Sequence, residues 1–185
     1  SVANALSYLG CSSCITADPA ELERADAIIL PGVGAFPDAA DRLRSGGLDQ
    51  HVLAQGQKKP VLGICLGMQL LLEQGREVRP CPGLGVIRGT VDRIPTQSKL
   101  PHIGWNSLRF FHHSPLFRGL DEGAYVYFVH SFSAQDTDPA QVIAVTDYGP
   151  AVTAAVSSGN FYGTQFHPEK SGDTGLRILK AFAEL

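Results

Sequence analysis

The chain reads as an α/β protein: a mostly parallel, doubly wound central sheet with helices on both faces, joined to a smaller antiparallel β region. Three observations predict this. Through residue 73, helical patterns alternate with short continuous apolar runs, the mark of parallel strands buried on both faces. From residue 86 to 166, β-like segments follow one another with little helix between them, and turns such as Ser158-Gly159-Asn160 imply antiparallel hairpins. At the end, Leu176, Leu179, Phe182 and Ala183 recur at spacings of three and four, with Ile178 and Leu185 widening the stripe, as in a helix docked on a sheet.

The elements follow in order. Residues 2–9 suit a helix ended by Gly10, and residues 13–16 a short strand. Asp18, Pro19 and Glu21 supply an N-cap, a first-turn proline and a third-position carboxylate for the next helix. Residues 27–30 form a buried strand broken by Pro31-Gly32-Val33-Gly34, after which residues 37–44 and 48–54 are helical. A strand over residues 60–64 leads into a helix over residues 66–73. The β-like segments that follow are 86–91, 107–110, 125–134, 142–146, 151–157 and 161–166, and residues 174–185 form the closing helix.

The 185 residues suffice for one domain, 1–185, with a sizeable core. A net charge of −3 with scattered basic residues gives no footprint for nucleic acid. No apolar run approaches the ~18 residues that a membrane span requires, and the first residues lack a secretory-signal pattern. Four cysteines in a chain of this length do not make a disulfide framework, so the expected compartment is reducing, the cytoplasm. Cys11 and Cys14 have redox or half-zinc spacing, but no second ligand pair accompanies them and no metal site is expected.

Cys65 is the most informative side chain. An apolar strand precedes it, a helix follows, and Gly63 and Gly67 flank it. This is the pattern of a nucleophile elbow, a strand-to-helix turn so tight that bulk beside it would clash. The turn puts the thiol at a helix N-terminus, where free amides favour a thiolate. A buried structural cysteine is the other reading of the same ten residues. A thiol nucleophile needs a base and an orienting group. His167 and Glu169, two apart at a strand end, can face one side of an extended segment, with Pro168 fixing φ between them. Pro31-Gly32-Val33-Gly34 ends another buried strand with bare backbone, so its amides, with that of Leu66, suit an oxyanion hole. Alternatively it is a plain connecting turn.

Gly63-Ile-Cys65-Leu-Gly67-Met-Gln69, His167-Pro-Glu169 and Pro31-Gly-Val-Gly34 together resemble the class I, triad-type glutamine amidotransferases. Leu30 to Pro37, Pro101 to Asn106, Tyr125 to Ser131, Thr146 to Gly149 and Lys170-Ser171 are similar to the branch that serves as glutaminase subunits of imidazole glycerol phosphate synthases. The resemblance implies hydrolysis of L-glutamine to glutamate and ammonia without a cofactor. Cys65 would be the nucleophile, His167 the acid and base, and Glu169 the group that orients it. It implies an oxyanion hole of Val33 and Leu66 amides, and glutamine held by Gly34, Gln69, His130, Ser131 and Phe132. Ammonia would pass to a separate (β/α)8-barrel cyclase subunit of histidine biosynthesis, contacted near Pro101, Trp105, Tyr127 and Lys170. Two other readings stay open: a glutaminase feeding a different synthase, and a non-catalytic relative that only binds its partner.

Members of that family begin with a strand and a Gly/Asn-rich loop ahead of the first helix, whereas this chain starts within what resembles that helix. The expectation is an N-terminally shortened form whose absent strand would be central. Each backbone group left unpaired on the neighbouring strands would cost about 1–3 kcal/mol.

Overall fold

The computed structural model describes all 185 residues. The chain runs α1 (Val2–Tyr8), α2 (Pro19–Arg24), β1 (Ile28–Gly32), α3 (Phe36–Ser45), α4 (Leu48–Gly56), β2 (Val61–Cys65), α5 (Leu66–Leu70), β3 (Leu72–Gly75) and β4 (Cys81–Pro82). There follow β5 (Ile87–Arg93), β6 (His102–Ser107), β7 (Arg109–Phe110), β8 (Tyr125–His130), β9 (Phe132–Gln135), β10 (Val142–Asp147), β11 (Ala151–Ser158), β12 (Phe161–Thr164) and α6 (Gly172–Ala183).

The main sheet has the order β1-β2-β12-β11-β10-β7. β2 is paired in parallel with β1 on one side and β12 on the other, while β10, β11, β12 and β7 continue the sheet through antiparallel pairs. A second sheet, β4-β3-β5-β9, and the β6–β8 ribbon complete the β structure. Every residue of β2 except the terminal Cys65 is buried, as its apolar run requires of a strand covered on both faces. One core cluster packs Phe36, Met68 and Leu71 with Phe161, and the other packs Leu62, Ile64 and Phe166 with Ile178, Leu179 and Phe182 of α6. Asp18 caps α2, its carboxylate accepting from the Ala20 amide at 2.9 Å. No helix is long and apolar enough to cross a membrane.

The α/β class and the hairpin about Ser158-Gly159-Asn160 agree with the sequence reading, and five elements differ from it, one being residues 107–110, which Leu108 divides between β6 and β7 in different sheets. Residues 13–16 form no strand, because no neighbour pairs with them, and β1 stands at the sheet edge. The elbow helix ends at Leu70. Leu72 instead pairs in parallel with Ile87, since a short buried apolar run serves a strand as well as a helix. β6 arises where Pro101 and Gly104 mask strand character, and its pairing with β8 over six residue pairs overrides weak propensity. Finally, residues 125–134 are not one strand: Ser131 separates β8 from β9, and the two pair in different sheets.

Candidate active site

Cys65 ends β2 with φ 54° and ψ −109°, a conformation costly for any residue with a Cβ. The turn is possible because its neighbours are bare. A Cβ on Gly63 would meet Gly67 O at 2.5 Å, and one on Gly67 would lie 1.7 Å from Leu30 O. Strand register sets Gly32 opposite Cys65, so the loop carrying Val33 and Gly34 leaves β1 beside the elbow. Val33 and Gly34 are exposed there, and Gly34 has φ 95°. Leu66 is buried as the first residue of α5.

His167 and Glu169 come together by a different geometry from the extended one that the spacing predicts. Residues Pro168–Lys170 form a 3-10 turn, closed by the Lys170 amide donating to His167 O at 3.0 Å. Pro168 presets φ at the first position of that turn, which rules out a continued strand. Within it, His167 Nδ1 lies 2.8 Å from Glu169 Oε1, with both side chains about nine-tenths buried. The turn is pinned to β8: the His167 amide donates to Tyr127 O at 3.0 Å, and Ser171 Oγ both accepts from the Tyr127 amide and donates to His167 O.

Burial alone would lower the pKa of His167. Hydrogen bonding and charge attraction from Cys65 and Glu169 outweigh it and raise the pKa to about 9. Burial likewise pushes Glu169 up, but the His167 hydrogen bond and charge, with Lys170 nearby, hold the carboxyl below its usual range. A thiol, an imidazole kept protonated and a carboxylate behind it stand in series, the arrangement that a nucleophile, an acid and an orienting group would require.

A second set of polar side chains is buried alongside. Gln69 Nε2 donates to Phe132 O at 3.1 Å and to Gln165 Oε1 at 3.0 Å. Gln165 Nε2 faces Cys65 Sγ at 3.7 Å. His130 Nδ1 lies 2.8 Å from Phe132 O, which can only accept, so Nδ1 carries the proton. Burial, reinforced by repulsion from His102 and His167 and partly offset by the Phe132 bond, lowers the pKa of His130 to about 4. Its Nε2 is therefore an acceptor for His102 Nδ1 at 3.1 Å. His102, lowered by burial as well, is stacked between Phe128 and Tyr148 and accepts from Asn106.

Of the residues read from the sequence, Cys65, His167 and Glu169 converge, and Gln69, His130 and Phe132 meet at one carbonyl. Ser131 sits at the β8–β9 break, half-buried. Trp105 and Tyr127 are cross-strand partners on the outer face of the β6–β8 ribbon, in edge contact with ring centroids 6.1 Å apart. Pro101 and Lys170 are exposed. Gln165 escaped the sequence reading, and His102, Asn106 and Ser171 entered it only within family-like segments, with no role of their own. Gln165 alone left a usable signal, standing two residues before His167 in a strand-like run.

This architecture and site define a class of protein. The chain belongs to the glutamine amidotransferase class-I family, whose model matches residues 1–184. Within it, the chain is 48% identical over 185 aligned positions to the imidazole glycerol phosphate synthase subunit HisH of Bacillus cereus (strain ATCC 14579), covering 98% of this chain and 87% of that one. It is 46% identical over 182 positions to the subunit of the same name from Oceanobacillus iheyensis, covering 98% and 90%. Among solved structures, a crystal structure of a glutamine amidotransferase superposes with a TM-score of 0.74 at 22% identity, over 98% of this chain and 92% of that one. A Thermotoga maritima glutamine amidotransferase does so with a TM-score of 0.57 at 19% identity, over 96% and 69%. These two share the fold.

Proposed function

We propose that the chain is the glutaminase subunit of an imidazole glycerol phosphate synthase, hydrolysing L-glutamine and delivering ammonia to a cyclase subunit. The observation that carries the reading is the buried His167–Glu169 pair beside a cysteine held in a strained elbow. Similarity at 46–48% identity to subunits named HisH supports the choice of synthase.

The Cys65 thiolate attacks the side-chain amide carbon of glutamine. The C=O π pair moves to oxygen, where the amides of Leu66 and Val33 receive the charge. The C–N bond then breaks, His167 gives its proton to the departing ammonia, and a γ-glutamyl thioester remains. His167, now neutral, takes a proton from water as that water adds to the thioester, and glutamate leaves. Glu169 keeps the Nδ1 proton in place and stabilises the imidazolium. Glutamine is held by Gly34, Gln69, His130, Ser131 and Phe132, of which Gln69 and His130 are braced against Phe132 O.

The cyclase, a (β/α)8 barrel, docks near Pro101, Trp105, Tyr127 and Lys170. Trp and Tyr are favoured anchors, and Tyr127 O is one hydrogen bond from His167, so docking is felt at the base. The free thiol suits the reducing cytoplasm.

The test is ammonia release from glutamine, with and without the cyclase and its ribonucleotide substrate. Release should be low alone, strongly stimulated by the liganded partner and lost in Cys65→Ala. Stimulation only by another synthase, or none under any condition, would refute the reading.

A further inference from the structure

We propose that Gln165 is a catalytic hydrogen-bond donor to the sulfur of Cys65, stabilising its ionised form, and that a single backbone carbonyl fixes its polarity. The inference deepens the reading of Cys65 as nucleophile and rests on it.

An amide side chain has two ends of similar shape and opposite effect. Its oxygen would repel a thiolate and its NH2 would attract one. Which end faces the sulfur follows from Phe132 O. That carbonyl accepts only, and it faces the Gln69 side-chain amide at 3.1 Å, so the end of Gln69 turned to it is the nitrogen. The second hydrogen of that nitrogen points to Gln165 at 3.0 Å, so the end of Gln165 turned to Gln69 is the oxygen. The nitrogen of Gln165 is left facing Cys65 Sγ at 3.7 Å. His130, through Nδ1 at 2.8 Å, holds the same carbonyl from another side. Gln69 is 4% exposed and Gln165 fully buried, so solvent does not compete for these bonds. The Gln165 main chain is fixed too, its amide donating to Ala154 O at 2.8 Å. A buried amide serving packing alone would need an acceptor for its nitrogen. Here that acceptor is the reacting atom.

The donor acts twice in the cycle. Before attack it favours the thiolate over the thiol. When the thioester is hydrolysed, the C–S bond breaks, the electron pair returns to sulfur, and the Gln165 N–H donates a hydrogen bond to the thiolate so formed. The same bond makes the thiolate a weaker nucleophile, because a better stabilised anion attacks more slowly.

These opposed effects give a signature that packing damage would not. Gln165→Met keeps the volume and removes the donor, weakening thiolate stabilisation by a factor of about ten. Iodoacetamide alkylation of Cys65 in the 185-residue chain is followed by peptide mass spectrometry from pH 6 to 11. Where the thiol is mostly protonated, the variant should react about threefold more slowly than the parent. Where it is fully ionised, it should react about threefold faster, given a Brønsted slope of ~0.4–0.5. The two pH–rate curves should cross. Curves that coincide, or that are displaced the same way at both limits, overturn the proposal.

Gln165→Glu, the same shape with a carboxylate, should deepen the loss at neutral pH. If neither variant folds, the parent decides. With 15N-labelled glutamine side chains, one NH2 pair should shift as Cys65 ionises and fail to shift in Cys65→Ala, and the lack of such a pair overturns the proposal. Undiminished glutamine turnover in Cys65→Ala would instead refute the nucleophile reading itself, a result separate from any outcome at Gln165.

Discussion

Replacing Glu169 by Gln keeps the shape of the side chain and removes the charge behind His167. His167 is raised from an ordinary 6.5 to about 9, with Cys65 and Glu169 opposing the effect of burial. A rise of that size corresponds to ~3 kcal/mol at 1.36 kcal/mol per unit. That rise is net of the burial penalty, so the two partners together supply more than it; shared between them and reduced by solvent screening, the contribution of Glu169 is on the order of 1–2 kcal/mol. The sign follows from the direction of the shift. A histidine whose pKa is raised on folding stabilises the fold fully below 6.5 and loses that stabilisation as pH climbs through 9. Glu169, held below its usual range, is ionised across this whole interval. Urea denaturation of parent and Glu169→Gln should therefore differ by about 1–2 kcal/mol at pH 6, with the difference shrinking towards zero by pH 10. Lysines and tyrosines that titrate in the same range are common to both proteins and cancel in the comparison. A loss equal at both pH values, or larger at pH 10, would refute the account of what holds the His167 proton.

Three further outcomes are expected. Because Cys65 has φ 54°, Cys65→Gly should be about 1 kcal/mol more stable to urea than Cys65→Ala, while neither releases ammonia. Gly67→Ala places a Cβ 1.7 Å from Leu30 O, a backbone atom that cannot swing away. It should cost about 3 kcal/mol or more in thermal or urea unfolding. Trp105 is 55% exposed, so Trp105→Ala should change stability by less than about 0.5 kcal/mol, yet weaken cyclase binding by calorimetry about 30-fold.

The parts of the site legible in the sequence are those where one residue type is forced. Gly63 and Gly67 announce the elbow because anything larger collides with backbone there. Pro168 between His167 and Glu169 marks their pairing, although the residues meet through a 3-10 turn and not across an extended segment. What stayed hidden depends on partners distant in sequence. Gln165 reads as one polar residue in a strand, and its meaning comes from Gln69 and Phe132, neither local to it. His102 became a buried group only when β6 paired with β8, which Pro101 and Gly104 disguised. Residues 13–16 have strand composition and no strand, because pairing and not composition makes one.

The most direct measurement is acid-quenched peptide mass spectrometry of the protein turning over glutamine with its liganded cyclase. A γ-glutamyl adduct is expected on the peptide containing Cys65, lost on hydroxylamine treatment as a thioester should be, with Cys11, Cys14 and Cys81 unmodified. Ammonia release without that adduct, or an adduct on another cysteine, would contradict Cys65 as the nucleophile.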